Sequence, residues 1–410
     1  MQKIIGPFYQ LLTMANLPER GALQDEQLEI IANAGIVVEG GKIKDLGSWE
    51  SLKTAYPDAE REEIDEPMVL LPGFVDTHTH ICSAGNRATD YAMRLAGKSY
   101  LEIAEAGGGI WHTVTATRSA SLEELTEATI ERAKVQLSEG VTTCEVKSGY
   151  GLTVESELKM LRAIQNANKA LPIDLVGTCL AAHMKPKDFE GTASEYLQLM
   201  ADELLPKVWK EGLACRVDAF VEQSAFSVEE TLPYLQKAKE LGFDITVHGD
   251  QFTPGGSQLA IDLEAISTDH LEASTDKEVE ALAKSNVTAV ALPGATIGLG
   301  DRFTPARAIL DKGGKLAIAT DWNPGSAPMG KLLLPASILG AFEHLTMAET
   351  LAGLTIRAAA ALNVSSRVGS LEEGKLADFI AFPFKDFRNI IYRQGAVLPK
   401  KVWKRGEMVL

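Results

Sequence analysis

The sequence predicts an α/β fold: a (β/α)8 TIM barrel carrying a small β-sandwich domain built from both termini. Three observations lead there. From about residue 69 to 365, short apolar runs alternate with amphipathic helical stretches, the pattern of a parallel sheet with crossover helices. There are eight such runs, the number that closes a barrel. The histidines of the chain collect at the C-terminal ends of those runs, where barrels of this kind carry their chemistry.

Residues 1–68 read differently from the middle of the chain. AGIVVEGGKIKDLG is a strand, a Gly-Gly turn and a second strand, which is a hairpin signal. GSLEEGKLADFIAF and KKVWKRGEMVL near the C-terminus are similar short strand-like runs broken by glycine. The expected small domain joins 1–68 to 366–410, and the expected barrel domain is 69–365. Barrel strands are expected at MVLLPGFVD, VTTCEV, IDLVGTCLAA, RVDAFV, FDITVH, AISTDH, VTAVALP and KLAIATD. Between them, SLEELTEATIERAKVQLSEG opens on Ser121 with Glu124 in capping-box position. VESELKMLRAIQNANKAL, SVEETLPYLQKAKELG and STDKEVEALAKSN read as helices in the same way. A doubly wound open sheet would normally carry a glycine-rich phosphate turn after its first strand, and none follows residue 76. GGGI at 107–110 lacks the Gly-Lys-Ser/Thr of a phosphate loop and is expected to be a flexible loop over the site.

Composition narrows the function classes. The chain has 410 residues, 45% hydrophobic and 23% charged, enough to bury a sizeable core. Its formal charge of −16 argues against nucleic acid and against anionic lipid as partners. No apolar run approaches the ~18–20 residues that span a membrane, and MQKIIGPFYQLLTMANLPERG has no signal-peptide core. Cys82, Cys144, Cys179 and Cys215 form no C-x-x-C pair, which fits reduced thiols better than a disulfide framework. The expectation is a cytoplasmic protein without nucleic-acid or membrane partners, with a homodimer as the default assembly.

The strand ends carry the chemistry. Strand one ends in GFVDTHTH, presenting His78 and His80 from the same side of an extended segment. Strand two gives Lys147 and then Ser148, Gly149 and Tyr150; strand three His183; strand four Glu222; strand five His248, Asp250 and Gln251. Strand six gives Asp269 and His270, strand seven Pro293 and Gly294, and strand eight Asp321 with Asn323 behind it. Of the 7 histidines, only His112 and His344 fall elsewhere.

Neutral imidazoles and a carboxylate suit zinc or ferrous iron. His78, His80, His248 and Asp321 supply three nitrogens and one oxygen for one divalent metal ion, Zn2+ or Fe2+. Such an ion lowers the pKa of water to roughly 7. Asp321 is placed to carry the proton of that water to a leaving group. His270 is expected on the water or the substrate, and His183 as a substrate or oxyanion donor. Some metal hydrolases of this fold hold two metals with a carbamylated lysine between them; here Lys147 lies on strand two and the strand-four position carries Glu222 instead. Lys147 and Glu222 therefore keep a two-metal alternative open, with Glu222 as the extra ligand, beside the preferred one-metal reading. The competing classes are a deaminase sharing the metal site and a catalytically silent barrel.

These residues resemble the imidazolonepropionase family of the amidohydrolase superfamily, which acts in histidine degradation. The resemblance covers nearly the whole chain. PGFVDTHTH, RLAGKSYLEIAEAGGGI, VKSGYGL, ELKMLRAI, HGDQ, TDHLE, TDWNPGSAP and GSLEEGKLADF carry it, and VKSGYGL with DWNPGS is its most specific part. It implies metal-dependent hydrolysis of the cyclic C–N (amide) bond of 4-imidazolone-5-propanoate to N-formimino-L-glutamate, so a small anionic heterocyclic substrate. It further implies that Arg87 pairs with the propionate and that Tyr150 and His183 hydrogen-bond the substrate. Gln251 would act at the imidazolone ring, and Asn323, Gly325 and Ser326 would line the carboxylate side through approachable backbone N–H groups. The chain departs from the family at ICSAG, DYAMRLAG, GATIGLGD and Gln251. These positions alter pocket walls and leave the predicted ligands intact, so a related ring, such as a thio-substituted imidazolone propionate, is the alternative substrate.

Overall fold

The computed structural model describes residues 2–98, 102, 106–223 and 225–410. Its first element is one the sequence hid. β1 (Gln2–Leu12) runs through KIIGPFYQLL and is the spine of the terminal sheet. It pairs antiparallel with β2 (Ile30–Glu39), with a register shift between Ile5 and Phe8, where Gly6 and Pro7 interrupt the alternation. β2 turns through Gly40–Gly41 into β3 (Lys42–Ser48), the hairpin expected from the Gly-Gly pair. β4 (Glu60–Glu63) and β5 (Val69–Pro72) lie parallel to β1 on its other side.

The run MVLLPGFVD, expected as one barrel strand, divides at Gly73. Its first half is β5; its second is β6 (Phe74–Asp76), which opens the barrel. A side chain at 73 would put Cβ 2.2 Å from Thr142 Oγ1, so only glycine permits the crossing. Seven further strands come in sequence order: β7 (Val141–Lys147), β8 (Asp174–Ala182), β9 (Arg216–Val221), β10 (Asp244–Gly249), β11 (Ser267–His270), β12 (Thr288–Ala291) and β13 (Lys315–Ile318). Each is parallel to the next. The ends of the ladder meet through a parallel bridge of Thr79 with Trp322. There His80 N donates to Trp322 O (2.8 Å), and the Asp76 carboxylate accepts from Thr320 N (3.1 Å), Thr320 Oγ1 (2.6 Å) and Gln136 Nε2 (2.8 Å).

The crossover helices start where their capping boxes predicted. Glu124 N donates to Ser121 Oγ and Ser121 N to Glu124 Oε2, opening Leu122–Ser138. Ser227 with Glu230 and Thr275 with Glu278 open two more helices in the same way. Each cap contributes about 0.5–2 kcal/mol. The buried face contributes more: on Leu122–Ser138 it is Leu125, Thr129, Ala133, Gln136 and Leu137 against the strands.

The C-terminal strands finish the other sheet. β14 (Phe379–Phe382) lies antiparallel beside β5, then β15 (Lys401–Lys404) beside β14 and β16 (Glu407–Met408) beside β15. The sheet curls on itself: Phe8 of β1 meets Trp403 of β15 edge to face at 6.1 Å, although β5 and β14 lie between those strands. The expected sandwich packing is thus made by one continuous mixed sheet. Its core, with Ile5, Phe8, Ile36, Leu70, Phe379 and Trp403, is separate from the barrel's. Cys82, Cys144 and Cys179 are buried free thiols and Cys215 an exposed one. No helix among the described residues is long and apolar enough to cross a membrane.

Candidate active site

The polypeptide leaving β6 stays extended and buried, so His78 and His80 both enter the barrel mouth. His78 Nε2 lies 3.2 Å from His80 Nε2, which lies 3.4 Å from His248 Nε2 at the end of β10. Asp321, three residues past β13 with φ at +50°, brings Oδ1 to 3.5 Å from both His78 Nε2 and His80 Nε2. The four expected ligands, drawn from strands one, five and eight of the barrel, therefore converge.

A layer of buried charge sits beneath them. Asp269 Oδ2 accepts from His78 Nδ1 at 2.7 Å, and Asp218 Oδ2 lies 2.8 Å from His248 Nδ1. These carboxylates put the ring protons on Nδ1 and leave the Nε2 lone pairs facing one another. Lys147 Nζ stands among the acids, 2.9 Å from Glu145, 2.8 Å from Asp218 and 3.7 Å from Asp269. Burial favours its neutral form, but the three acids outweigh burial and hold it charged. Lys147 is thus consumed as a counter-ion, which leaves the two-metal alternative without its lysine. Glu222 is consumed as well: it accepts from Gln223 N, Phe252 N and Thr253 N at 3.1, 2.9 and 3.1 Å, and from Thr253 Oγ1. It fastens the loop that carries Gln251.

The donor set fits a cation. Burial drives the imidazoles of His78 and His80 well below the ordinary range, and brings His248 down to about 3. All three are neutral near pH 7. His78 and His248 thus turn unprotonated Nε2 atoms toward His80. With Asp321, His80, whose Nδ1 has no hydrogen-bond partner among the described residues, completes a buried group of three imidazoles and one carboxylate whose chemistry suits a cation. Burial pushes the Asp321 carboxyl up to about 7, against the pull of His270 and Asn323.

Around this centre the two remaining histidines differ. His183 Nδ1 donates to Gly149 O at 2.9 Å, and burial lowers the imidazole to about 4. Neutral His183 therefore carries its proton on Nδ1 and offers Nε2 as an acceptor, so the expected donor role does not suit it. His270 has φ at +83°, a backbone cost of roughly 1–3 kcal/mol at a β11 end that folding must offset. Burial alone would lower its pKa, but Glu272 Oε2 at 3.5 Å, with Asp321 and Asp269, raises it above the ordinary value. Of the two, His270 is the one whose surroundings favour the protonated form. Sequence reasoning missed Glu272, Asp218 and Asp90; an aspartate inside the apolar run RVDAFV was the available signal for Asp218.

A cavity of about 400 Å3 opens beside His80, lined by Arg87, Arg132, Trp322, Asn323 and Gly325 among others. Arg87 Nε donates to Asp90 Oδ2 at 2.8 Å, and the same oxygen accepts from Gly109 N at 2.8 Å. GGGI thus turns into the helix Ile110–Ser119 and buttresses Arg87; residues 99–101 and 103–105 of RLAGKSYLEIAEAGGGI lie outside the described residues. The Gly325 and Ser326 N–H groups, expected to be free, are taken by Asn323 Oδ1 at 2.7 and 2.8 Å. What the bare Gly325 admits is Arg87: a Cβ there would lie 2.4 Å from Arg87 Nη1. Tyr150 is buried with its ring 5.9 Å from His80 and 5.3 Å from His183. Gln251, half-buried after Asp250 (φ +55°), has a carboxamide without a partner among the described residues.

A family model described as the amidohydrolase family matches residues 69–409. The chain belongs to the amidohydrolase family. A second model, the imidazolonepropionase-like composite domain of bacteria, matches residues 34–59 of this amidohydrolase. Among curated relatives, imidazolonepropionase of Acinetobacter baumannii is 40% identical over 391 residues, 95% of this chain and 97% of its own. That of Bdellovibrio bacteriovorus is 42% identical, covering 94% and 91%, and that of Clostridium tetani 37%, covering 99% and 97%. These identities, at full coverage, place the amidohydrolase in the imidazolonepropionase branch of its family. Escherichia coli guanine deaminase superposes with a TM-score of 0.76 at 16% identity, covering 100% of this chain and 99% of its own. An adenosine deaminase from Xanthomonas campestris with bound zinc superposes at 0.73 and 17%, covering 100% and 92%. These two likenesses concern the fold. Family membership and the converging donors together support a divalent cation as cofactor of this hydrolase.

Proposed function

We propose that the protein hydrolyses the ring amide of 4-imidazolone-5-propanoate to N-formimino-L-glutamate, in the cytoplasm, as a step of histidine degradation. The observation that carries this is the meeting of His78, His248 and Asp321, each with a donor atom within 3.5 Å of His80 Nε2, beside a cavity with two guanidinium groups. The same branch of the family supplies relatives named for this activity over nearly their full length.

His78, His80, His248 and Asp321 would hold one ion, zinc or ferrous iron. When bound, it supplies Lewis acidity toward the ring carbonyl and acidifies water to near-neutral pKa. Water adds to the amide carbon, one C–O bond forms and the ring C–N bond breaks. Asp321 takes a proton from the attacking water and returns it to the departing ring nitrogen, as a positioned carboxylate can. His270, whose protonated form Glu272 favours, donates to the oxygen on which negative charge grows. His183 Nε2 accepts from a ring N–H, Tyr150 and Gln251 orient the ring, and Arg87 pairs with the propionate. Asn323, by holding Gly325 and Ser326 in a tight turn, seats Arg87. The small anionic substrate is drawn in by these local cations despite the negative overall charge.

The test is direct turnover of 4-imidazolone-5-propanoate by protein loaded with zinc or with ferrous iron, followed by appearance of N-formimino-L-glutamate. Failure of both metallated forms on this compound, with turnover of a different ring, would overturn the substrate assignment. Light scattering of the same preparation reads whether two copies pair.

A further inference from the structure

Arg132 was not among the residues the sequence marked. It lies on the helix Leu122–Ser138, where its position reads as part of a solvated face. In the structure its head turns inward and lines the cavity that also holds Arg87 and His80. Its Nη1 donates to Ile81 O (2.5 Å) and Ser83 O (2.7 Å), the backbone that leaves the His78–His80 segment. Its Nε and Nη2 have no partner among the described residues, and neither is among the side-chain atoms sealed from water.

The two arginines of the cavity are unequal. Arg87 is already paired, its Nε on Asp90 Oδ2 at 2.8 Å. Arg132 has no carboxylate within ion-pairing distance among the described residues. Burial accordingly lowers its pKa, and only Cys82 and Tyr150, groups that are neutral near pH 7, pull the other way. A largely buried cation without an anion is costly, and the cost is recovered when an anion with matching lone pairs arrives. A guanidinium whose free edge faces a cavity offers a carboxylate two parallel N–H donors.

We propose that Arg132 is a second carboxylate-recognising residue, binding the anionic arm of the substrate through Nε and Nη2 together with Arg87, and so setting the preference for an acid over a neutral ring. This deepens the assignment of an anionic heterocycle to the cavity and rests on it. Because Nη1 holds the carbonyls of Ile81 and Ser83, the same side chain links carboxylate binding to the segment that follows His80.

Binding to the metal-loaded protein of imidazole-4-propanoate, and of 4-propylimidazole as its neutral counterpart, separates anion recognition from a purely structural strut. Arg132→Gln keeps a donor for the two carbonyls and removes the charge. It is expected to weaken imidazole-4-propanoate by roughly tenfold or more, the worth of a charge-assisted hydrogen bond, while leaving 4-propylimidazole within about threefold, below one ordinary hydrogen bond. Arg132→Lys, a point charge without the fork, is expected to fall between the two. It serves as the test should the glutamine variant not fold. Equal weakening of both ligands, or wild-type preference in both variants, overturns the proposal while the substrate assignment stands. A wild-type protein that shows no preference for the acid over the neutral ring overturns both.

Discussion

Lys147 Nζ lies 2.8 Å from Asp218 Oδ2, and that oxygen lies 2.8 Å from His248 Nδ1. A buried lysine thus acts on a metal-facing imidazole through one shared carboxylate. Burial opposes the ionised Asp218, but His248 and Lys147 hold its carboxyl far below the ordinary range. Lys147→Met removes the ammonium shared by Glu145, Asp218 and Asp269, leaving Glu145 only Arg216 at 3.6 Å and Asp218 only His248 as a charged or titratable partner among the described residues. The expected cost is about 3–5 kcal/mol of stability, seen as a large drop in Tm. Metal affinity, read by competition with a chelator, should fall about 10–100-fold, as for loss of an outer support. A variant that keeps wild-type metal affinity would show that the lysine serves packing alone.

In the proposed reaction Asp321 has two tasks, ligand and proton carrier, and the asparagine variant separates them only in part. Asp321→Asn should keep the fold, because the amide matches the carboxyl in size and shape. Turnover should fall by about two to four orders of magnitude, the usual worth of a positioned acid–base group. Circular dichroism and steady-state kinetics check the two halves. Near-normal kcat would remove Asp321 from the proton path.

Gly325 is expected to be intolerant of the smallest side chain. Gly325→Ala places Cβ 2.4 Å from Arg87 Nη1, so the guanidinium must move. The turn held by Asn323 should persist. Activity toward the propionate substrate should therefore drop through KM, by about tenfold to a hundredfold in kcat/KM. An unchanged KM would mean that Arg87 does not bind the arm.

Removal of the metal should be visible without any assay of activity. Dialysis against dipicolinate is expected to lower Tm by several degrees, since an ion that binds only the folded chain adds RT ln(1 + [L]/Kd). Zinc and ferrous iron should each restore it. A Tm indifferent to chelation would contradict the convergence of His78, His80 and His248 on a cation.

Acid should loosen the seam between the N-terminal segment and the barrel. Glu349 is buried and accepts from Leu23 N (3.0 Å), Thr346 N (2.8 Å) and Arg307 Nη1 and Nη2 (2.9 and 3.1 Å). Burial alone would raise its pKa, yet these donors bring it below the ordinary 4.5. A carboxyl depressed in the fold adds stability that is complete above its unfolded pKa and is lost as pH falls through the folded one. Stability should therefore decline below about pH 4.5 with a steeper slope in the wild type than in Glu349→Gln. At pH 7 the variant should be less stable by about 1.5–3 kcal/mol, the worth of hydrogen bonds to a charged group. Denaturant titrations at several pH values read both.

Much of this was legible from the chain alone, for identifiable reasons. Barrel strands and helices announce themselves by periodicity and by caps such as Ser121 with Glu124. The histidines of the barrel mouth stand out because imidazoles seldom end apolar runs. What stayed hidden obeys no local pattern. β1 is interrupted by Gly6–Pro7, which erases its alternation. MVLLPGFV is apolar on both sides of Gly73, so nothing in its polarity marks the switch between sheets there. Arg132 and Asp90 sit on helices where charged residues ordinarily face water, and only the folded shape turns them inward. The tautomer of His183 depends on Gly149 O, a partner thirty-four positions away.

The division at Gly73 bears on how the enzyme is made. β5 lies between β1 and β14, so one of its edges stays open until residues 379–382 have been synthesised. The segment with His78 and His80 is tied directly to that strand, while its other ligands arrive at 248 and 321. On a ribosome, the strand that leads into the His78–His80 segment therefore gains its second neighbour only once β14, near the end of the chain, has emerged.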